Sequence, residues 1–358
     1  MKSNQTNPVS NGQATREERF MRGRRKHIHH RLLVLGTIML GVLFVGLAGV
    51  ALYYNHLLGK IHYETRNPSM LTMTRATKAP TTRRTTRRTS QGETTEPVET
   101  TVDWVSLYDV SDIPVRTDPD IRNILLIGSD SYASDYYSNS DTIIILSINR
   151  RDNVIRMASI LRDTGILIPG STDGIEKINS SYAYGGPYLL METIEANFRV
   201  RIDNYIAVGF DGFDRIINSV GGLDIDLTAA EAEVMGLQPG LQHLDGFFTE
   251  WYCRIRKIDS DFQRTSRQRH VLELLMQKAR GMGAVEMANL LEEILPNVYT
   301  GLERSEMSSL ILSAPALLGY PLEQASVPLA GSYTSYDYTF HMDLRTNVEH
   351  LQGFLYGS

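Results

Sequence analysis

The chain has 358 residues, a formal net charge of −5 and a single cysteine, Cys253, room for one large or two ordinary domains once non-globular segments are set aside. Residues 1–31 carry +6, residues 32–65 balance and residues 66–103 carry +3, which leaves −14 over residues 104–358. A domain that acidic excludes a non-specific nucleic-acid binder, and a lone cysteine excludes an internal disulfide framework.

Residues 1–31 read as a basic cytoplasmic tail. Residues 32–54 then run 23 positions without a charge, rich in Leu, Val, Gly and Ile. A helix of that length is roughly 34 Å long and a hydrocarbon core about 30 Å thick, so the pattern predicts one transmembrane helix. Arg22, Arg24, Arg25, Lys26 and Arg31 precede it, whereas only Lys60 and Arg66 follow closely. The positive-inside rule then predicts a single-pass protein of the cell membrane, with its N-terminus cytoplasmic and its C-terminal domain extracellular. A cleaved signal peptide is the competing reading, because Gly49-Val50-Ala51 resembles a cleavage site. Residues 55–103 read as an extracellular stalk, since from position 66 they are dominated by Thr, carry the pairs Arg83-Arg84 and Arg87-Arg88, and lack the apolar content to fold.

From Trp104 onward strand and helix signals alternate. Asn123 to Gly128 and Thr142 to Asn149 are apolar, β-branched runs expected to be strands buried on both faces. Val154 to Leu161, after a turn at Arg150-Arg151-Asp152-Asn153, is the expected hairpin partner. Pro187 is expected to open a helix with Tyr188, Met191, Ile194 and Phe198 on one face. Tyr205 to Phe210 follows as a strand, and then a helix capped by Asp211 that points Phe213, Ile216 and Ile217 inward and ends at Gly221-Gly222. Further helices are expected at 265–280, 284–294 and 306–318. The alternation predicts an α/β domain over residues 104–358, with a mixed central sheet flanked by helices.

The chemistry concentrates in residues 254–269, which hold five arginines inside an acidic domain. Arg254 and Arg256, two apart, share a face if the backbone is extended. Arg264, Arg267 and Gln268 share one side of a helix. Clustered guanidinium groups repel one another unless an anion fills them, and their planar forks match phosphate oxygens. A salt-bridge network is the alternative, but Asp259 and Asp261 are only two acids against five arginines. Asp130 follows one predicted strand and Asp141 precedes the next, so both carboxylates are candidates for one sheet edge and for Mg²⁺, which prefers oxygen ligands beside phosphates. Capping and loop hydrogen bonds explain such aspartates equally well. Leu161-Arg162-Asp163-Thr164, Lys177-Ile178-Asn179 and Tyr184-Gly185-Gly186 complete the segments of interest.

Taken in order, these segments resemble the LytR–CpsA–Psr family of cell-wall proteins over about residues 120 to 275. The landmarks are Asn123-Ile124-Leu125-Leu126-Ile127-Gly128-Ser129-Asp130, Ser140-Asp141-Thr142, Arg162-Asp163-Thr164, Lys177-Ile178-Asn179, Tyr184-Gly185-Gly186, Phe210-Asp211-Gly212-Phe213, Gly221-Gly222-Leu223-Asp224 and the arginine segment. The resemblance implies an α-β-α fold with a hydrophobic cavity for a polyprenyl tail. It implies an enzyme, a phosphotransferase that moves a glycopolymer from a polyprenyl-pyrophosphate carrier to peptidoglycan through a phosphodiester link, beside membrane lipid and without nucleic acid. Carried over by motif, Asp130 and Asp141 would hold Mg²⁺, and Arg162, Arg254, Arg256, Arg264, Arg267 and Gln268 would bind the pyrophosphate, with Lys177 and Asn179 as further substrate contacts. Asp163 is the candidate base by its place in the motif. The sequence departs from the family pattern at Tyr132 and Asn139, where arginines are usual, and at Thr249-Glu250, although Tyr252 is retained. A non-catalytic binder or regulator of lipid-linked or wall phosphates, and a polyprenyl-pyrophosphate hydrolase, are the alternatives.

Overall fold

A computed structural model describes residues 48–66, 108–129, 137–256, 258 and 260–357. The basic tail, most of the apolar run 32–54 and residues 67–103 lie outside the described residues, as do Asp130, Tyr132 and Asp259. The chain divides at Gly59/Lys60 into two units. In the first, residues 48–58 are helical. Among the described residues no helix is long and apolar enough to cross a membrane.

The second unit is built on a mixed sheet. Its elements in chain order begin with β1 (His62–Tyr63), β2 (Ile121–Ser129), β3 (Ser140–Asn149), β4 (Val154–Ile160), the short pair β5 (Gly165–Leu167) and β6 (Ile175–Lys177), and helix α1 (Ile178–Phe198). Then come β7 (Asn204–Gly209), α2 (Phe210–Ser219), β8 (Leu223–Leu227), α3 (Ala229–Met235), β9 (Gly240–Leu244), α4 (Gly246–Arg254), α5 (Asp261–Arg280) and α6 (Ala284–Ile294). The chain finishes with β10 (Val298–Thr300), α7 (Arg304–Leu317), β11 (Leu322–Val327), the hairpin β12 (Tyr333–Tyr336) and β13 (Thr339–Met342), and α8 (Leu344–Tyr356).

Seven described strands form the main sheet in the order β1-β10-β7-β2-β3-β4-β11. β2, β3 and β4 pair antiparallel, while β7 lies parallel to β2 and β11 parallel to β4. The apolar runs of β2 and β3 are buried on both faces because helices cover both sides of the sheet. Leu125, Ile143, Ile145 and Tyr205 face a core shared with Leu190, Ile194 and Phe198 of α1 and Val348, Leu351 and Leu355 of α8. Ile124, Ile148 and Ile155 face the opposite way, with Leu317. A separate cluster joins α2, α3, α4 and α5 to the β8–β9 hairpin through Ile217, Leu223, Ile225, Tyr252 and Val271.

Several expectations need correction. The helix around Pro187 starts nine residues earlier, at Ile178, and breaks where Gly185 (φ −148°) and Gly186 (φ 65°) leave helical geometry, so Pro187 opens only its second half. A Cβ on Gly186 would stand 2.7 Å from the Tyr137 ring, so both its backbone and its surroundings select glycine. The inner face of that half carries Leu190 and Thr193 with Ile194 and Phe198, while Tyr188 and Met191 are only partly buried. Asp211 is not the cap of α2, because Gly209 occupies that position and Asp211 lies in the first turn. Arg254 is not on a strand: Asp245 caps α4 by accepting from the Phe248 amide, and Arg254 ends it. The stalk boundary also moves. His62 and Tyr63 pair parallel with Tyr299 and Thr300, so these two residues belong to the sheet; the His62 and Tyr299 rings stack at 4.5 Å, and the Glu64 carboxylate accepts from the Tyr205 hydroxyl at 2.6 Å.

A candidate anion and lipid site at one end of the sheet

The strand directions collect the sequence-predicted residues at one end of the sheet. β2 runs antiparallel to β3 and parallel to β7, and β4 antiparallel to β3, so the C-terminal ends of β2, β4 and β7 meet the N-terminal end of β3. Gly128 pairs with Thr142 but Ser129 with Ser140, which makes Asp141 the extra residue of a β-bulge. A bulge frees one residue from the ladder and re-aims its side chain. Asp141 thus stands at the mouth of a cavity of about 210 Å³. The walls are Leu126, Ile144, Ile206 and Val208 of the sheet, Phe210, Phe213 and Ile216 of α2, Cys253 of α4, and Leu272 and Leu275 of α5. The mouth carries Glu250, Arg254, Arg256, Arg264 and Gln268 with Asp141.

Around Asp141 the charges interlock. The Arg162 guanidinium donates to Asp141 Oδ1, and Arg256 reaches the same oxygen at 3.4 Å. Arg162 also lies 3.6 Å from Asp163, whose Oδ1 accepts from Lys177 Nζ at 2.8 Å. The β5–β6 pair sets Lys177 opposite Gly165, and the Asn179 amide donates to the Arg162 carbonyl at 3.3 Å. Arg254 donates to Glu250 at 2.7 Å and lies over the Phe210 ring at 4.9 Å. Arg264, only 2% exposed, is held by Asp261 with contacts of 2.7 and 2.9 Å. Burial pushes the Asp261 carboxyl up against the pull of Arg264, and burial lowers the Arg264 guanidinium despite Asp261, so both partners of this pair carry a desolvation cost.

Arg267 belongs to a different neighbourhood. It donates to the Ile255 carbonyl at 2.7 Å, pairs with Glu231 at 3.2 Å and faces the Tyr252 ring, and it does not line the cavity. Three residues after Arg264 on a helix is a turn of −60°, enough to carry a side chain onto the neighbouring core. Arg269 is buried against β4 and β11, donating to Ser159 and Gln324. The arginines therefore find acids beyond Asp259 and Asp261: Glu231 and Asp141 arrive from other elements and Glu250 from the same helix as Arg254, so the contrast with Asp259 and Asp261 alone overstated the unneutralised charge. Glu250 carries a sequence signal after all, the i, i+4 spacing to Arg254. The apolar wall residues on α2 and α5 carry none beyond ordinary amphipathicity.

Among the described residues, the buried Nε of Arg162 and the buried Nε and Nη1 of Arg264 have no hydrogen-bond acceptor, although Nη1 lies 2.7 Å from Asp261. Buried donors are satisfied in the great majority of cases, so Arg264 Nε, on a residue that lines the cavity, is a candidate donor to an anionic ligand. The arrangement is an apolar slot with a cationic rim, complementary to an amphiphile with a phosphate-type head. Among the described residues no cluster of three His, Cys, Asp or Glu side chains could hold a metal. Of the two carboxylates expected to hold Mg²⁺ only Asp141 is described, and its Oδ1 contacts Arg162 and Arg256; a carboxylate is the donor type that Mg²⁺ commonly takes together with substrate phosphates.

The family model of the LytR_cpsA_psr family matches residues 73–352. A polyisoprenyl-teichoic acid–peptidoglycan teichoic acid transferase, TagV of Bacillus subtilis (strain 168), is 29% identical over 241 residues, 63% of this chain and 62% of its own length. TagU of Oceanobacillus iheyensis, of the same transferase type, is 36% identical over 202 residues, 54% of this chain and 62% of its own. The chain thus spans about 62% of the length of these curated relatives. Among solved structures, B. subtilis TagV aligns with a TM-score of 0.55 at 26% identity, covering 67% of this chain and 98% of that one. TagT bound to LI-WTA aligns with a TM-score of 0.54 at 25% identity, covering 67% and 93%.

Proposed function

The chain belongs to the LytR_cpsA_psr family, and on that premise we propose that it transfers a glycopolymer from a polyprenyl-pyrophosphate carrier to peptidoglycan, leaving a phosphodiester link. The observation that carries this reading is the apolar cavity whose mouth is ringed by Arg254, Arg256 and Arg264, with an unsatisfied buried Nε on Arg264. The names of the related TagU and TagV transferases, which act on polyisoprenyl-linked teichoic acid and peptidoglycan, support it.

In this reading the polyprenyl tail lies along Leu126, Ile206, Leu272 and Leu275, and the pyrophosphate stays at the mouth. Arg162, Arg254, Arg256 and Arg264 neutralise its oxygens and hold the two phosphorus centres in place. Phosphoryl transfer depends mainly on positioning and charge stabilisation, which fixed guanidinium groups supply. An acceptor hydroxyl oxygen forms a bond to the polymer-bearing phosphorus. The bridging P–O bond breaks, and polyprenyl phosphate leaves with the electron pair. The hydroxyl proton passes to a carboxylate, for which Asp163, oriented by Lys177 and Arg162, is the candidate. Mg²⁺, bound when present by Asp141 and the proposed second ligand Asp130, would add neutralising charge to the pyrophosphate. We also propose that this chemistry takes place on the outer face of the cell membrane, supported by the charge asymmetry about residues 32–54.

The test is turnover of a polyprenyl-pyrophosphate-linked saccharide by the full chain, with peptidoglycan fragments, in Mg²⁺ or in EDTA. The expected result is a metal-dependent sugar phosphodiester on the acceptor, reduced at least a hundredfold in Asp141→Ala. Tight binding of the intact lipid without product under any metal would establish a carrier-binding protein instead.

A further inference from the structure

The C-terminal hairpin lies beside the proposed reaction centre and plays no part in the mechanism above. β12 and β13 pair antiparallel through a two-residue turn, with Tyr336 opposite Thr339. The turn residues Asp337 (φ 48°) and Tyr338 (φ 59°) both have left-handed backbone. Such turns ordinarily select Asn-Gly, because a side chain at φ above zero is strained. This turn instead carries a tyrosine, and Tyr338 and Tyr336 are 85% and 72% exposed. Non-glycine residues held in this region persist where the surroundings over-determine them and gather at functional sites.

The base of the hairpin is rigidly fixed to the catalytic motif. Phe340 bridges Thr164 in parallel register and donates its amide to the Asp163 carbonyl at 2.9 Å. The Thr339 methyl packs so closely on Gly165 that a Cβ there would meet it at 2.9 Å. Phe262 stacks on Tyr333 with ring centroids 5.3 Å apart, and Tyr333 meets Phe340 edge-on at 5.1 Å. Tyr338 stands two residues from Phe340, so its Cα lies at most about 7 Å from that of the residue bonded to the Asp163 carbonyl. Two exposed tyrosines therefore sit within a few residues of the backbone that contacts Asp163 and Thr164.

We propose that Tyr336 and Tyr338 form a stacking platform for the saccharide chain of the acceptor, placing a sugar next to the one whose hydroxyl reacts. This rests on the transferase reading and deepens it. A tyrosine ring offers a flat apolar face and a polar hydroxyl tip, the same two features as a pyranose with its C–H face and hydroxyl rim. The hairpin carries no lysine or arginine and has Asp337 in its turn, which favours an uncharged glycan over a polyanion there. Rings fixed on a pinned turn lose little entropy on binding.

The experiment is co-sedimentation of the full chain, in detergent and at elevated salt, with purified peptidoglycan sacculi stripped of attached polymers. High salt screens the basic residues of the 66–103 stretch. Tyr336→Ala/Tyr338→Ala should weaken binding about tenfold, while Tyr336→Phe/Tyr338→Phe should keep most of it. Tyr338→Gly removes one ring and relieves the left-handed backbone, so it folds at least as well as wild type and should still weaken binding several-fold. Sacculus binding by the alanine pair and by Tyr338→Gly equal to wild type overturns the platform. Farnesyl pyrophosphate binding, measured on the same samples, should be unchanged in all variants. Its absence in the wild type would strike the transferase reading and leave the sacculus result standing.

Discussion

Arg264 is the residue at which binding and stability can be separated. Its guanidinium is 2% exposed, held by Asp261, and leaves Nε without an acceptor at the cavity mouth. Arg264→Met alone should destabilise the protein by about 3–5 kcal/mol, because it strands a buried carboxylate whose burial already pushes its pKa up. Arg264→Met/Asp261→Leu replaces the whole pair with apolar side chains and should recover most of that loss, since buried ion pairs are often no better than well-packed hydrophobes. The two variants should nevertheless bind farnesyl pyrophosphate equally poorly. One charge-assisted hydrogen bond is worth about 1.5–3 kcal/mol, or roughly 10- to 150-fold in Kd. Urea unfolding gives the first quantity and calorimetric titration the second, both on the full chain in detergent. If the double variant is stable and binds the pyrophosphate like wild type, Arg264 is a structural residue and the anion site lies elsewhere.

Burial pushes the Cys253 thiol up to about 12, so at pH 8 its thiolate fraction should be roughly a thousandfold below that of an ordinary cysteine. Iodoacetamide should label it at pH 8 in urea but barely in the native protein; fast native labelling would show the α4 wall of the cavity to be open. Leu275→Trp fills the cavity from α5 and should cut binding of a long polyprenyl pyrophosphate at least tenfold while sparing inorganic pyrophosphate, and equal losses for both would mean that the tail binds outside this cavity.

The sheet and the late helices were legible because their signals are local. β2, β3 and β4 follow the apolar runs to within two residues at each end, and α5, α6 and α7 cover the expected helices at 265–280, 284–294 and 306–318 closely. Burial on both faces gives a strand continuous apolar character, and a helix its periodicity, without reference to anything distant. The site was legible as composition and not as geometry. Arginine crowding marked a segment that lines the cavity in part, and its side chains diverge: Arg264 and Gln268 reach the cavity while Arg267 turns to Glu231 and Tyr252. Two acid partners come from α3 and a bulge in β3, pairings that no local window contains, whereas Glu250 lies one turn before Arg254 on α4. The C-terminal hairpin escaped notice for the opposite reason, since a turn of Asp337-Tyr338 contradicts the usual turn chemistry.

The placement of β1 changes where this chain can be cut. Three residues, 59–61, separate the helical segment 48–58 from β1, and Tyr108 is buried in the main core on the far side of the Thr-rich stretch. The described residues on either side of 67–107 thus belong to one unit. A truncation that begins at Trp104, the boundary that composition suggests, would strip β1 from the margin of the sheet and bare the backbone of β10. Uncovered strand margins recruit other chains, so that fragment should aggregate where one beginning at Lys60 stays monodisperse.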